Sequence, residues 1–215
     1  MPDVVTYEVR RGVAWLTINR PEASNALNKA VRDGLFAGVR RFNRDEAAQV
    51  LVLTGSGNKA FCGGADLKEM AAEGLAVPPS DFLPQFGRNV QVPKPTIAAV
   101  NGVAYAGGFL LAQFCDLVVA AESARFAVTE VKVGRGAPWA APLSWLVPPR
   151  IAMEILLTGD PVSARRAHES AWSTESSRTR LSSKLFRPSE NSSLPTRPCP
   201  FEPRSRPSTC PRQIG

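Results

Sequence analysis

Phe61-Cys62-Gly63-Gly64-Ala65-Asp66-Leu67-Lys68-Glu69-Met70 joins a short apolar run, a glycine pair and the start of a helical pattern. About forty positions on, Asn101-Gly102-Val103-Ala104-Tyr105-Ala106-Gly107-Gly108 repeats the arrangement. Each turn leaves backbone N–H groups at the start of a helix, where the first donors have no partner within the helix and negative charge is favoured. Facing one another, two such turns would form an oxyanion hole, with two N–H donors set on one carbonyl oxygen. A single such donor is typically worth roughly 10²–10³ in rate. A glycine pair taken alone is more often a mark of ordinary backbone packing.

Upstream of the first turn, Val4 to Arg10 and Val13 to Ile18 read as two short strands joined through Arg11-Gly12. From Asn28 to Phe42, the residues Val31, Leu35, Val39 and Phe42 mark one helical face, with Asn28 as N-cap. Val50-Leu51-Val52-Leu53-Thr54 follows as a buried strand, so the order is that of an α/β protein. Between the turns a helix starts near Asp66, the stretch from Ala71 to Pro84 is broken by prolines and expected to be mobile, and Thr96 to Val100 is a buried strand entered through Lys94-Pro95. Beyond the second turn the pattern predicts a helix over Phe109 to Phe114, strands over Asp116 to Ala120 and Arg125 to Ala127, and a helix from Arg150 to Leu157 ending at Thr158-Gly159. Another helix begins at Ser163.

With 215 residues the chain is long enough for one well-buried domain, or for one domain with an extension. No run approaches the roughly 20 apolar residues of a membrane span, and Met1-Pro2-Asp3 does not open a signal peptide, so the expected compartment is the cytoplasm. Cys62, Cys115, Cys199 and Cys210 show no C-x-x-C spacing and have one histidine, His168, for company, so neither a metal site nor a disulfide framework is expected. The formal charge of +7 is unevenly spread: +2 over residues 1–169 and +5 over residues 170–215. A nearly balanced body gives no reason to expect nucleic acid as a partner.

After Glu169 the apolar periodicity stops, and residues 170–215 hold 11 serines and 7 prolines. This composition predicts a Ser/Pro/Arg-rich disordered tail behind a domain of residues 1–169. A functional basic tail, binding nucleic acid, is the alternative. A third reading is a one-base shift in the coding sequence, biological or introduced in sequencing. Back-translating Ser170 to Thr179 with GC-rich codons and reading one base earlier yields x-Gly-Leu-Val-Asn-Arg-Val-Val-Pro-Asp, which is apolar and strand-like.

The two turns, with Ile18-Asn19-Arg20-Pro21, Asn25-Ala26-Leu27, Lys94 to Gly108, Cys115-Asp116-Leu117, Ala124-Arg125-Phe126, Glu130-Val131-Lys132-Val133-Gly134 and Ala152 to Gly159, resemble the enoyl-CoA hydratase/isomerase (crotonase) family. The resemblance runs from about Val4 to Glu169. It implies an α/β spiral of ββα units, assembled as trimers or pairs of trimers, that acts on an acyl-CoA thioester. Coenzyme A is then part of the substrate, and no separate cofactor, metal, membrane or nucleic acid is implied. The shifted frame also resembles the segment with which the family continues past this point.

By the same resemblance the N–H groups of Ala65 and Gly107 are the oxyanion donors, and Ala65, Asp66, Leu67 and Lys68 border the pantetheine and adenine of the substrate. Asp66 reads better as a helix cap than as a ligand contact, and Lys68 is either a phosphate contact or a solvated lysine. Family hydratases carry two catalytic glutamates. Here Leu110 stands at the first position and Glu130 at the second. Pro138 replaces a glycine in the following loop and lacks an N–H that could help hold a water. These departures favour isomerase-like chemistry, with Glu130 as base and acid in turn, over hydration. A noncatalytic acyl-CoA binder or an inactive frameshifted fragment is the alternative. Trp139 and Trp145 read as packing residues, Trp139 also as a candidate wall of the acyl site. His168 is assigned no role.

Overall fold

The alternating segments at the N-terminus pair as expected: Val5–Arg10 (β1) runs antiparallel to Val13–Ile18 (β2), with Val9 opposite Ala14. The structure is a computed structural model that describes residues 3–74, 78–140, 143–173 and 175–177. Lys29–Arg44 forms α1, and the Asn28 side chain accepts from the Val31 N–H as its N-cap. Its buried face, Val31, Leu35, Val39 and Phe42, is the one the spacing predicts. At the far end, Lys94 donates to the carbonyls of Phe42, Asp45 and Ala48 and lies over the Phe42 ring. A cation there offsets the negative end of the helix dipole.

Val50–Gly55 (β3), Thr96–Val100 (β5) and Leu117–Ala121 (β7) extend the first sheet in parallel from β2. All five residues of β5 are buried, as expected for a parallel strand covered on both faces. A second sheet runs in the order β4, β6, β8, β9, formed by Ala60–Cys62, Val103–Tyr105, Arg125–Ala127 and Val162–Ser163. Its first three strands are parallel. β4 and β6 lie inside the two glycine-bearing stretches, which read as turns in the sequence.

Leu67–Glu73 (α2) follows β4, and Gly107–Gln113 (α3) follows β6. α3 starts within the glycine pair, two residues before the predicted Phe109. Leu143–Leu146 (α4), Pro149–Thr158 (α5, closed by Gly159 at φ 62°) and Ala164–Glu169 (α6, capped by the Ser163 side chain) complete the α-helices among the described residues. Residues 75–77, within the stretch expected to be mobile, lie outside the described residues.

The fold continues past the boundary expected at Glu169. Trp172 is 8% exposed, and its ring centroid lies 4.4 Å from that of Phe126 and 4.7 Å from that of Phe109. Glu175–Ser177 (β10) then pairs in parallel with β7 at the edge of the first sheet. A polar average over the segment conceals one large apolar side chain, and strand pairing uses main-chain groups that any non-proline residue carries. The rest of the segment expected to be disordered, residue 174 and residues 178–215, lies outside the described residues.

Candidate active site

Three adjacent parallel strands, β4, β6 and β8, end at one edge of the second sheet. The chain leaves them through Gly63-Gly64-Ala65, Ala106-Gly107-Gly108 and Val128-Thr129-Glu130 respectively. Register ties the last two together: Tyr105 stands opposite Ala127, and the Ala106 N–H donates to the Ala127 carbonyl at 3.0 Å. Open α/β sheets place ligands outside the carboxyl ends of their strands. The topology therefore brings Ala65, Gly107 and Glu130 to the same edge.

Hydrogen bonds on the other side of each peptide set the direction of the two N–H groups. The Gly64 carbonyl accepts from the Leu27 N–H at 2.9 Å, so across the planar trans peptide the Ala65 N–H points away from Leu27. The Ala106 carbonyl accepts from the Leu110 N–H at 3.0 Å inside α3, so the Gly107 N–H points out of the helix start. Among the described residues neither N–H donates to a backbone or side-chain acceptor. The Gly64 N–H, in contrast, is directed to Cys62 Sγ.

The two turns touch. A Cβ built on Gly64 (φ 102°) would stand 3.0 Å from the Ala106 Cβ and 3.7 Å from the Gly107 nitrogen. Only glycine holds that backbone conformation without strain. A Cβ on Gly107 would in turn meet Leu27 at 2.8 Å and Leu83 at 3.3 Å, so these two leucines wall the second turn.

Asn25, fully buried, anchors the loop that carries Leu27: it accepts from the Arg20 N–H and donates to the Ser56 and Ala60 carbonyls. Asp66 caps α2 by accepting from the Lys68 and Glu69 N–H groups, and its other oxygen pairs with Arg20 at 2.8 Å. The Arg20 hydrogen bond, aided by the cap, holds this carboxyl below its ordinary range. With both oxygens committed, only the Asp66 backbone is left to face a ligand. Glu69 pairs with Arg32, whose guanidinium lies over the Phe82 ring. The side chains of Leu67 and Lys68 are exposed.

Glu130 sits on a 3₁₀ turn, Thr129–Val133, closed by Gly134 at φ 68°. Its Oε1 accepts from the Trp139 indole N–H at 2.9 Å, while Oε2 is enclosed and has no partner among the described residues. Burial raises this carboxyl above the ordinary glutamate range, against the opposing pull of its own backbone N–H and of Trp139. Leu110 is buried in α3, so the first glutamate position of the family pattern carries an apolar side chain. The Cys62 thiol is also buried and is pushed up to about 12, which keeps it a protonated packing group. Among the described residues no group of three or more His, Cys, Asp or Glu side chains could hold a metal ion, and no helix is long and apolar enough to cross a membrane.

Sequence reasoning named Ala65, Gly107 and Glu130 as candidates, and the strand order brings them to one sheet edge; it did not anticipate the Trp139 bond, the Arg20–Asp66 pair or the walls made by Leu27 and Leu83. The Arg20–Asp66 pair spans 46 positions and the Trp139 bond joins two separate 3₁₀ turns, each too short to repeat, so neither leaves a periodic trace.

The family model described as Enoyl-CoA hydratase/isomerase matches residues 8–171. The chain is 42% identical over 162 residues to a mitochondrial enoyl-CoA hydratase of Pongo abelii, covering 73% of this chain and 55% of that protein. It is 40% identical over 172 residues to an (E)-benzylidenesuccinyl-CoA hydratase of Thauera aromatica, covering 76% and 65%. It therefore spans between about half and two thirds of the length of these relatives. A solved carnitinyl-CoA dehydratase from Mycobacterium avium superposes with a TM-score of 0.73 at 40% identity, over 81% of this chain and 70% of that one. The chain belongs to the enoyl-CoA hydratase/isomerase family and has its crotonase fold.

Proposed function

We propose that the chain binds an acyl-CoA thioester, polarises its carbonyl with the Ala65 and Gly107 N–H groups, and moves a proton with Glu130. The observation that carries this reading is the meeting, at one sheet edge, of two undonated N–H groups and a partly buried carboxyl with one free oxygen. Negative charge develops on the thioester oxygen when a neighbouring C–H bond breaks, and preplaced donors stabilise that charge more than the ground state. Burial favours a carboxyl basic enough to take the proton and acidic enough to return it.

Proton transfer within the substrate is the preferred reaction. Glu130 takes a proton from the α or γ carbon, the electron pair moves to the thioester oxygen as an enolate, and the same proton is delivered to the other carbon. Leu110 offers no second carboxylate to hold a water. Hydration is the second reading, favoured by the names that the relatives carry. The backbone from Ala65 to Lys68, with Leu67 and Lys68 exposed, would border the coenzyme A moiety. Assembly as a trimer or hexamer, residence in the cytoplasm and the absence of a separate cofactor belong to the same proposal.

The test supplies the 215-residue chain with 3-enoyl-CoA and, separately, with 2-enoyl-CoA. Interconversion of the two double-bond positions, lost on Glu130→Gln, supports proton transfer. Formation of 3-hydroxyacyl-CoA supports hydration. Thioester binding without turnover of either makes the chain a noncatalytic binder.

A further inference from the structure

Trp139 lies on a short 3₁₀ turn, Pro138–Ala140, nine positions after Glu130, and its indole N–H is the one side-chain donor that reaches the Glu130 carboxylate among the described residues. The rest of the indole packs against the core, so the bond is held by a half-buried ring, not by an exposed side chain. The second carboxylate oxygen is enclosed and unpartnered. A buried acceptor without a partner is unusual and points to a functional constraint or a protonated group.

We propose that Trp139 is a positioning residue that makes the two oxygens of Glu130 unequal: the indole N–H holds Oε1, and the exchangeable proton resides on Oε2. The proposal rests on Glu130 as the acid/base group. Indole is donor-only and carries no proton that titrates near neutrality, so Trp139 neither supplies nor receives the transferred proton. In the carboxylate the N–H stabilises charge on Oε1. In the carboxylic acid the same N–H fits a carbonyl oxygen at Oε1 and leaves the O–H on Oε2. The acyl group must displace what encloses Oε2; when a C–H bond of the substrate then breaks, the O–H bond forms at Oε2 and the electron pair moves to the thioester oxygen, and the return step reverses this at the other carbon. One donor thus orients the carboxyl in both charge states.

Charged groups on this turn and on α5, which packs against it, are Lys132, Arg150 and Glu154, with Arg135 just beyond Gly134. Lys132 is paired with Asp160 and Glu154 with Arg166. Burial, not a neighbouring charge, dominates the environment of Glu130.

Three measurements on the full chain test the assignment. In the unaltered protein, the Trp139 indole ¹⁵N–¹H signal should shift with pH as Glu130 titrates and should be flat in Glu130→Gln. In Trp139→Phe, the protonated-carboxyl stretch of Glu130 in pH-difference infrared spectra should persist to higher pH, because a donor to the charged form is gone. With an enoyl-CoA substrate, kcat should fall by about tenfold with little change in KM, and the acidic limb of its pH profile should move up with the infrared titration. An indole signal indifferent to pH, or a Glu130 titration unmoved in Trp139→Phe, overturns the proposal, and the first of these needs no Trp139 variant to fold. Titrations as expected in a chain that turns over no acyl-CoA support the Trp139 assignment and overturn the proposed reaction.

Discussion

Gly108 lies directly against Cys62: a Cβ on Gly108 would overlap the Cys62 carbonyl and stand 2.8 Å from the Cys62 Cβ. This contact joins the end of β4 to the start of α3 and keeps the two turns at one fixed separation.

Gly108→Ala should therefore force the turns apart. Overpacking of a closed core typically costs about 1–3 kcal/mol, and a clash with backbone belongs at the upper end. Urea denaturation should show this loss, with acyl-CoA binding lost in parallel. Gly136→Ala, where a Cβ meets nothing within 4 Å, serves as the control and should leave stability unchanged. Equal stability of the two variants would contradict the close approach.

Glu130→Gln should stabilise the fold at neutral pH. Burial raises the folded-state pKa of Glu130 above its ordinary 4.5, so the folded chain holds the proton more tightly than the unfolded one. The resulting stability is fully present below about 4.5 and is lost as pH rises through the folded value. The variant carries no such loss, and its advantage should grow with pH across that window. Denaturation curves that differ by a constant amount at every pH would rule this out.

Asp66→Ala should cost about 1 kcal/mol through loss of the α2 cap, with a further loss from the Arg20 pair. Asp66→Asn keeps a capping oxygen and isolates the charge effect. Because Arg20 lowers this carboxyl below its ordinary 3.8, the pair contributes above that pH and fades as pH falls through the lowered value. The gap between the unaltered chain and Asp66→Asn should close in acid; a gap that persists there would show that the charge is not what Arg20 recognises.

Ala171→Gly should stabilise the chain by about 1 kcal/mol, because Ala171 sits at φ 60°, a left-handed conformation that costs an L-residue roughly that much. Trp172, the next residue, packs on Phe109 and Phe126, and this packing holds the turn in place. Glycine is also the residue that the one-base-shifted reading supplies at position 171. A thermal midpoint unchanged or lowered in Ala171→Gly would remove the strain argument.

Much of the molecule was legible before folding. Val31, Leu35, Val39 and Phe42 announced α1 and its buried face, because one helix repeats a local geometry often enough to leave a period. The two glycine turns were visible for a related reason: close backbone approach excludes side chains wherever it occurs. The three-residue strands β4 and β6 escaped notice inside the glycine-bearing stretches, while the equally short β8 was read, and their parallel pairing is a long-range event that no local window contains.

Residue type and local spacing were enough for the α/β class and for two glycine turns with candidate N–H donors; Glu130 as the candidate acid/base and Leu110 in place of a second carboxylate came from the family resemblance. Three other features emerge only when the chain is folded. Trp139 holds one oxygen of Glu130, Arg20 and the helix cap consume both oxygens of Asp66, and Trp172 carries the fold past Glu169. Those contacts join residues from different loops and helices. Which of them meet depends on how strands cross the sheet and on which apolar surfaces are buried together, and neither is encoded in any short stretch of chain.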